Sequence, residues 1–446
     1  MLLQDLASGA RSIEAAQAAF AAMEVMYPIC RSITGDGVRR TLDIIGETLP
    51  LQRLEVPSGT PVFDWEVPRE WNIRDAYIAG PDGARVVDFK AHNLHVVNYS
   101  VPVRARMSRD ELEPHLHSLP DRPDSIPYRT TYWREQWGFC LRHSDRVNLG
   151  PGPYDVVIDS SLAPGSLSYA ECVVPGSDAG EALVYTHTCH PSLANDNLTG
   201  IVVAAQLARL LREERPRLTW RFIFGPGTIG SLTWLARNEH RLAGVRGGLT
   251  LGLLGDTSPL TYKCSRLGQT VTDRVATFVL ERSGRPHRVV DFEPYGYDER
   301  QFCSPGFDLP VGRLSRAQHG DYPQYHTSDD DLSIVSADRL GESMSIAAAW
   351  IATFDANRSL VNLCAKGEPR LGKRGLYGAV GGQAPGDSER AMLWVLSYSD
   401  GDHDLVDIAQ RSNLPFASIV AAAQALEQAG LVRDAGASLI HQGDMP

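Results

Sequence analysis

Residues 181–200 read EALVYTHTCHPSLANDNLTG, and this stretch decides the fold. The apolar residues 183–185 predict a buried strand, and residues 201–211 have the alanine and leucine content of a helix that packs on a sheet. The loop that joins them carries four groups able to bind a metal or a proton: His187, Cys189, His190 and Asp196. In an open α/β sheet such a loop lies at the carboxyl ends of the strands, where these folds place their sites.

Imidazole and carboxylate groups are the usual ligands of a catalytic zinc, which takes three protein groups and keeps one position for water. The loop supplies two histidines and one aspartate over residues 187–196, which is part of such a ligand set. The alternative is that His187 and His190 are ordinary loop histidines and that Asp196 only caps the following helix.

A second segment favours the metal site. Residues 325–331 read YHTSDDD and follow a predicted strand at residues 309–314. His326 precedes hydroxyl and carboxylate groups that can orient its second ring nitrogen, as a ligating histidine requires. Thr327 or Ser328 is also suited to cap a helix from about residue 329, and the two roles are compatible.

These motifs resemble a known superfamily. The histidine before NDNLTG, the pair Gly255-Asp256, Asp298 in YDERQF and the segment YHTSDD resemble the zinc aminopeptidases with co-catalytic metals, the M28-like peptidases. More closely, CHPSLANDNLTG, GPGTIGSLTWLARNE, YDERQFCSPGF, YHTSDDDL and GEPRLGKRGLY resemble the DUF4910 group of aminopeptidase-like proteins. The resemblance covers most of the chain and implies an α/β fold with a mixed sheet flanked by helices, a DUF2172 insertion and a C-terminal winged-helix domain.

The resemblance implies one zinc ion (Zn²⁺) per chain, with the ligands His190, Asp196 and His326. We prefer His190 because it belongs to the CHPS motif, whereas the position at the end of the strand favours His187. Two-metal aminopeptidases carry two glutamates where this chain has Gly227 and Thr228. A second metal would therefore lack a ligand, and Asp256, which stands where the superfamily places a further ligand, would serve that second metal.

The usual general base is also absent, so another carboxylate must act if the protein is a hydrolase. Asp298 and Glu299 occupy the place where related peptidases read Ser-Asp-His. We expect Glu299 to be the base, because a carboxylate beside zinc can accept the proton of the attacking water. The alternative is that Asp298, Glu299 and Arg300 form an ion-pair cluster that only shapes the loop. Residues 262–266 add cations suited to an anionic substrate group.

A chain of 446 residues predicts two or three domains. We expect residues 1–58 and 150–384 to form the aminopeptidase-like domain, residues 59–149 an inserted β-rich domain, and residues 385–446 the winged helix. The insertion is rich in aromatic residues. Its segment 132–137, YWREQW, is either a wall that faces the substrate or the core of the insertion itself.

Charge and cysteine content limit the partners. The net charge of −11 argues against a general binder of polyanions. Residues 385–446 contain nine acids against three arginines, which predicts a protein contact or a homo-oligomer interface for the winged helix rather than DNA binding. Seven dispersed cysteines, a polar start and no run of about 20 apolar residues predict a cytoplasmic protein without a membrane span.

Three functions are compatible with these features. The first is a zinc-dependent hydrolase of the aminopeptidase type that cleaves a peptide or another amide. Because the resembling family is linked with polysaccharide or small-molecule biosynthesis, a sugar-derived amide is also a candidate substrate. The second is a non-catalytic binding or regulatory protein on a peptidase scaffold, favoured by Gly227 and Thr228. The third, a transcriptional regulator with an aminopeptidase-like sensor, depends on the winged helix and is opposed by its charge.

Overall fold

The computed structural model describes residues 3–318, 320–376 and 386–436. The chain divides into two compact units. The first comprises Met1–Asp273 and Ser283–Ala349, and the second comprises Arg274–Arg282 and Trp350–Pro446. In the described part of the chain, no helix is long and apolar enough to cross a bilayer.

The helices, in chain order, are α1 Leu3–Ala7, α2 Ser12–Met26, α3 Asp36–Gly46, α4 Arg109–Leu112, α5 His143–Val147, α6 Thr199–Leu211, α7 Ile229–Asn238, α8 Val271–Arg282, α9 Glu299–Phe302, α10 Ala337–Ala356, α11 Asp387–Tyr398, α12 Leu405–Ser412 and α13 Phe416–Gln428. The strands are β1 Gln52–Pro57, β2 Pro61–Val62, β3 Trp65–Glu66, β4 Glu70–Ala79, β5 Arg85–Asp88, β6 Val103–Met107, β7 Leu116–His117, β8 Phe139–Cys140, β9 Tyr154–Ala163, β10 Ser166–Val174, β11 Glu181–His187, β12 Thr219–Gly225, β13 Val245–Leu251, β14 Leu260–Lys263, β15 His287–Val290, β16 Val311–Ser315, β17 Ser359–Asn362, β18 Asp400–Asp404 and β19 Val432–Asp434.

The first unit is built on an eight-stranded mixed sheet with the order β1-β10-β12-β11-β13-β16-β14-β15. The strands β12, β11, β13 and β16 are parallel to one another, and β10 and β14 flank them in the opposite direction. All seven residues of β11 are buried, as expected for a parallel strand covered on both faces. Because β11 leads through the loop to α6, the strand–loop–helix prediction for residues 181–211 is confirmed.

The inserted region forms a second sheet with the order β5-β4-β9-β6. Its longest pairing joins β4 to β9 from Glu70–Ala163 to Ala79–Asp155. The predicted insertion ended at residue 149, but β9 runs to residue 163 and belongs to this sheet. The difference arises because a strand's own pattern of residues does not tell which sheet it will pair with.

The second unit contains α11, α12 and α13 with a three-stranded sheet of order β18-β17-β19. The predicted boundary between residues 384 and 385 lies outside the described residues. The unit already includes the chain from Trp350, since β17 pairs with both β18 and β19. The sequence places β17 in the preceding domain because its strand partners follow it by about 40 and 70 residues.

Candidate metal and active site

Three imidazoles converge on one buried carboxylate at the carboxyl end of β11. Nε2 of His187 lies 2.8 Å from Oδ1 of Asp196. Nε2 of His326 and Nε2 of His190 lie 3.1 and 3.8 Å from Oδ2 of the same residue. Potential ligand atoms of His187, His190 and Asp196 all lie within 4.8 Å of one another. The geometry thus brings together the three predicted ligands and the alternative histidine.

The position of Asp196 depends on Asp330, which belongs to the YHTSDDD segment. The carboxylate of Asp330 accepts hydrogen bonds from the backbone N–H groups of Asn195 at 2.6 Å and Asp196 at 3.1 Å, and from the hydroxyl of Tyr322 at 2.8 Å. Burial, together with the charge of Asp196, raises the pKa of Asp330 to about 7. Sequence analysis predicted the segment but missed this role of Asp330.

Electrostatics keeps the central carboxylate charged and its neighbour neutral. Burial alone would raise the pKa of Asp196, but the hydrogen bonds that its carboxylate accepts from His187 and His326 hold that pKa well below its usual range. Burial also lowers the pKa of His190 well below the ordinary value for histidine. A carboxylate beside a neutral imidazole is the donor combination that zinc takes.

The inserted region holds His326 in place. The backbone N–H of Tyr128 donates a 2.8 Å hydrogen bond to the carbonyl of His326. Nearby, the N–H of Ser328 donates to the carbonyl of Ile126, and the N–H of Ile126 donates to the hydroxyl of Ser328. The Tyr128 ring lies 5.1 Å from the ring of His190 and 5.0 Å from that of His326. His326 itself has φ 53°, a left-handed conformation that is uncommon for a residue other than glycine and is concentrated at functional sites. No sequence signal pointed to Tyr128.

A neighbouring amide contacts the imidazole of His187. Nδ2 of Asn197 lies 3.2 Å from Nδ1 of His187, and it also donates to Oγ1 of Thr186 at 2.9 Å. Oδ1 of Asn197 accepts from the N–H of Leu253, which orients the amide with its NH₂ group toward the imidazole. The same Nδ2 lies 3.1 Å from the carbonyl oxygen of His187, so the amide contacts both the backbone and the ring of this histidine.

Asp298 stands beside Gly227, the residue predicted to take the place of a glutamate in the two-metal aminopeptidases. Its Oδ1 accepts a 2.5 Å hydrogen bond from the Ser231 hydroxyl, and its buried Oδ2 has no hydrogen-bond partner among the described residues. A Cβ atom added to Gly227 would lie 2.9 Å from that Oδ2 and 3.2 Å from Cβ of His187. Burial raises the pKa of Asp298 to about 6. The Asp298 carboxylate thus lies next to the position where that glutamate side chain would begin.

Glu299, the residue expected to be the general base, has a different setting. Its side chain is fully buried and forms an ion pair with Nζ of Lys263 at 3.0 Å. It does not belong to the lining of the cavity that contains Asp298. Two adjacent acids therefore have different surroundings, which spacing in the sequence could not reveal.

A cavity of about 230 Å³ adjoins the histidine cluster. Its lining includes His187, His190, His326, Asp298, Tyr132 and Trp133. Of the predicted aromatic wall at residues 132–137, Tyr132 and Trp133 reach the cavity, whereas Trp137 stacks on His115 with ring centroids 3.6 Å apart. Residues 132 and 133 thus line the cavity and residue 137 packs on His115, and the contact of this segment with a substrate stays a prediction.

Two further candidates have structural partners. Asp256 accepts hydrogen bonds from Nδ2 of Asn195 at 2.9 Å and from the N–H of Ser258 at 2.7 Å, so it supports the ligand loop. Burial raises the pKa of Cys189 to about 12, and its Sγ lies 3.5 Å from Nδ1 of His190. Cys189 is thus a neutral thiol that contacts a candidate ligand.

Comparison with known proteins identifies the family. The model of DUF4910, described as a domain of unknown function, matches residues 20–357. The chain belongs to the DUF4910 family. A winged helix-turn-helix model matches residues 358–434, so the C-terminal winged helix is confirmed. The presence of a DUF2172 insertion stays a prediction.

The relatives of this DUF4910 protein agree on the scaffold. A Clostridium acetobutylicum protein, provisionally named for polysaccharide biosynthesis with an aminopeptidase-like domain, is 47% identical over 413 residues, which are 92% of this chain and 95% of that one. A provisionally named peptidase of the same organism has a crystal structure with a TM-score of 0.89 and 44% identity, covering 97% and 99% of the two chains. BSAP, a zinc aminopeptidase from Bacillus subtilis, has a TM-score of 0.55 and 13% identity over 75% and 94%. The last likeness concerns the fold alone, and it confirms the predicted aminopeptidase-like α/β architecture.

Proposed function

We propose that the protein is a zinc-dependent hydrolase of the aminopeptidase type, which cleaves a peptide or another amide bond. The observation that carries this proposal is the convergence of three imidazoles on Asp196 beside a cavity lined by the carboxylate of Asp298. The aminopeptidase-like fold supports it. The name of the Clostridium acetobutylicum relative supports a role in polysaccharide biosynthesis, with a sugar-derived amide as one possible substrate class.

The residues present fit one zinc ion. His190, Asp196 and His326 would hold it, as the CHPS motif suggests, because nitrogen and carboxylate oxygen donors suit zinc and three protein ligands leave a position open. The amide of Asn197 favours a proton on Nε2 of His187, and that proton would make His187 a donor to Asp196 rather than a ligand. The close contact of His187 with Asp196 is the argument for the opposite assignment.

Zinc, when bound, would supply Lewis acidity that polarises an amide carbonyl and acidifies a water. The chain's own residues would move the protons. Oδ2 of Asp298 has no hydrogen-bond partner among the described residues, so it can accept the proton of the attacking water and return it to the leaving amine. Ser231 orients that carboxylate through Oδ1. The ion pair of Glu299 with Lys263 favours Asp298 over Glu299 for this role.

The ligand assignment can be tested by the zinc content of the purified protein. We expect about one zinc per chain in the wild type and in the control His240→Ala, a substitution at an exposed histidine. His190→Ala and His326→Ala should lose the metal, whereas His187→Gln should retain it. Zinc retained in His190→Ala but lost in His187→Gln would assign the third ligand to His187. A wild type without metal after zinc addition would contradict the hydrolase.

The role of Asp298 can be separated from folding and metal binding. We expect Asp298→Asn to keep its zinc and to lose turnover of an amide substrate by about 10²-fold or more, the usual contribution of a general base. Glu299→Gln, at the adjacent carboxylate, should keep most of the turnover. Loss of turnover in Glu299→Gln with normal activity in Asp298→Asn would return the role to Glu299.

The competing function is a non-catalytic binding protein, and Gly227 and Thr228 are the observation that favours it. Neither residue offers a carboxylate, and both line the cavity. A zinc-loaded wild type that cleaves no amide in a panel of peptide and sugar-derived substrates would support this function. Retained cleavage that Asp298→Asn abolishes would exclude it.

We also propose a cytoplasmic location and a protein contact for the winged helix. All seven cysteines are free, which agrees with a reducing compartment. Acids outnumber arginines nine to three in residues 385–446, a composition that favours a protein partner or a second copy of the chain over DNA.

A further inference from the structure

A buried charge cluster lies next to the cavity, and the proposed mechanism does not use it. Lys263 on β14 and Arg313 on β16 are direct partners across the two antiparallel strands, and they are only 4% and 2% exposed. Glu299 is their nearby acid, with Oε1 at 3.0 Å from Nζ of Lys263 and at 4.0 Å from Nη1 of Arg313. Two cations thus share one carboxylate, and the cluster has an excess of positive charge.

The guanidinium of Arg313 is incompletely satisfied. Its Nε and Nη1 are buried and have no hydrogen-bond partner among the described residues. The Tyr297 ring, 5.3 Å from the guanidinium carbon, offers only a cation–π contact. Buried polar groups are nearly always hydrogen-bonded, and an unmade bond to a charged group is costly. Such a group next to a cavity is suited to receive an anion.

The cluster approaches the cavity wall at one glycine. Gly296 lines the cavity and has φ +146°. A Cβ atom at this position would lie 2.5 Å from Oε1 of Glu299, 3.0 Å from Nζ of Lys263 and 3.4 Å from Nη1 of Arg313. The absence of a side chain at Gly296 therefore lets the whole cluster, two cations and one carboxylate, pack against the wall, and its net charge there is positive.

The same cavity is poor in acidic groups, although its aromatic rings, such as Trp65 and Trp133, can contact an ammonium through cation–π attraction. Among its described lining residues, Asp298 is the acidic one, and it is assigned to proton transfer. Gly227 and Thr228 supply no carboxylate. A peptide with a free amino terminus needs acidic partners, whereas guanidinium and ammonium groups recognise a carboxylate or a similar anion.

We propose that the cavity selects an amide substrate bearing an anionic group such as a carboxylate, received by Arg313 and Lys263 beside Gly296, and that it does not select a free amino terminus. This inference rests on the proposed hydrolase function, because the bound amide is a substrate only if the protein is a hydrolase. The anion subsite itself is a property of the described residues, and it can be measured without turnover.

The test is calorimetric titration of the full-length, metal-free protein at pH 8 with three small amides. Glutarate monoamide carries a carboxylate, butyramide is neutral and 4-aminobutyramide carries an ammonium. We expect the wild type to bind glutarate monoamide at least tenfold more tightly than 4-aminobutyramide. Arg313→Gln should reduce that preference below threefold. Arg74→Gln removes the same charge from an exposed arginine paired with Asp159 and should leave the preference intact.

A second variant keeps the test decisive if Arg313→Gln does not fold. Glu299→Gln removes the one acid of the cluster and should strengthen glutarate monoamide binding several-fold. Equal or tighter binding of 4-aminobutyramide by the wild type, or an unchanged preference in Arg313→Gln, would overturn the proposal. An anion preference without any amide cleavage would contradict the proposed hydrolase function and support the anion subsite. Cleavage of free-amine amides without an anion preference would do the reverse.

Discussion

Two buried arginines in the same sheet have opposite surroundings. Arg221 on β12 donates from Nε to Oε1 of Glu181 at 2.8 Å, from Nη2 to Oε2 of Glu181 at 3.3 Å, and from Nη1 to Glu171. Arg313 on β16 is 4.0 Å from its nearest carboxylate, that of Glu299, and has two nitrogens without partners among the described residues. The two side chains are similarly buried, at 4% and 2% exposure.

The difference teaches how to recognise a buried charge that serves the fold. Around Arg221, two acids face two guanidiniums, since Arg241 also pairs with Glu181, and the indole of Trp234 donates to Glu171. That network is closed and needs nothing further. The cluster at Arg313 is open and adjoins the cavity wall at Gly296, and an open buried charge is expected where a ligand completes it.

The largest effect should come from opening the closed network. Arg221→Met would leave two buried carboxylates without their shared partner, and loss of one side of a buried ion pair costs about 3–5 kcal/mol. We expect the free energy of unfolding, measured in urea, to fall by that amount. A loss below about 1 kcal/mol would show that the network of Arg221 contributes little to stability, and the contrast with Arg313 would fail.

Zinc should stabilise the folded protein by binding to a third buried cluster, the one around Asp196. At a free zinc concentration of 100 Kd, a ligand that binds only the folded state stabilises it by about 2.7 kcal/mol. We expect that gain in thermal unfolding of the wild type and in His240→Ala, and its disappearance in Asp196→Asn. Equal stabilisation of Asp196→Asn by zinc would place the metal elsewhere in the chain.

Sequence predicted the fold well where local pattern decides it. The buried strand, the loop and the helix of residues 181–211 follow from apolar density and from turn residues, and the structure has β11 and α6 there. The winged helix was predicted from helix periodicity and its turn residues. Its first strand, β17, was missed because it pairs with strands that are distant in the sequence, which local pattern does not reveal.

The candidate site was predicted only to the level of the loops. His187 and His190 are three residues apart and lie 2.8 and 3.8 Å from the carboxylate of Asp196, so their spacing in the sequence does not decide which of them is a ligand. Asp298 and Glu299 are adjacent, yet one lines the cavity and the other pairs with Lys263 on β14. Such side-chain directions arise from contacts between distant elements, which no motif encodes.

The half-buried ion pair between Arg39 and Glu70 should contribute an amount of stability that lies between the contributions of Arg221 and Arg313. Nη1 and Nη2 of Arg39 donate to both carboxylate oxygens of Glu70 at 2.7 and 2.6 Å, and the hydrogen bonds from Arg39 and from the N–H of Ser166 lower the pKa of Glu70 to about 2. A carboxyl with a lowered pKa stabilises the fold above its unfolded pKa. We expect Glu70→Gln to cost about 1 kcal/mol at pH 7, discounted for solvent exposure.

The sign of the pH dependence checks this assignment. Stability contributed by Glu70 should be lost as pH falls from about 4.5 toward about 2, because the folded state then takes up the proton later than the unfolded state. The stability difference between wild type and Glu70→Gln should therefore shrink over that interval in urea titrations. A difference that is the same at pH 7 and at pH 2.5 would mean that the charge of Glu70 is not its source.

The smallest change in stability is expected at Arg313, where the comparison is sharpest. Arg313→Met removes a buried guanidinium whose Nε and Nη1 have no hydrogen-bond partner in the described part of the chain, and it leaves Glu299 paired with Lys263 at 3.0 Å. Because the lost desolvation cost offsets the lost attraction, the metal-free protein should change its unfolding free energy by less than about 1 kcal/mol in either direction. The matched substitution Arg221→Met is the reference. A cost of 3 kcal/mol or more at Arg313 would make this arginine a structural residue like Arg221, and the ground for an anion subsite at Gly296 would be lost.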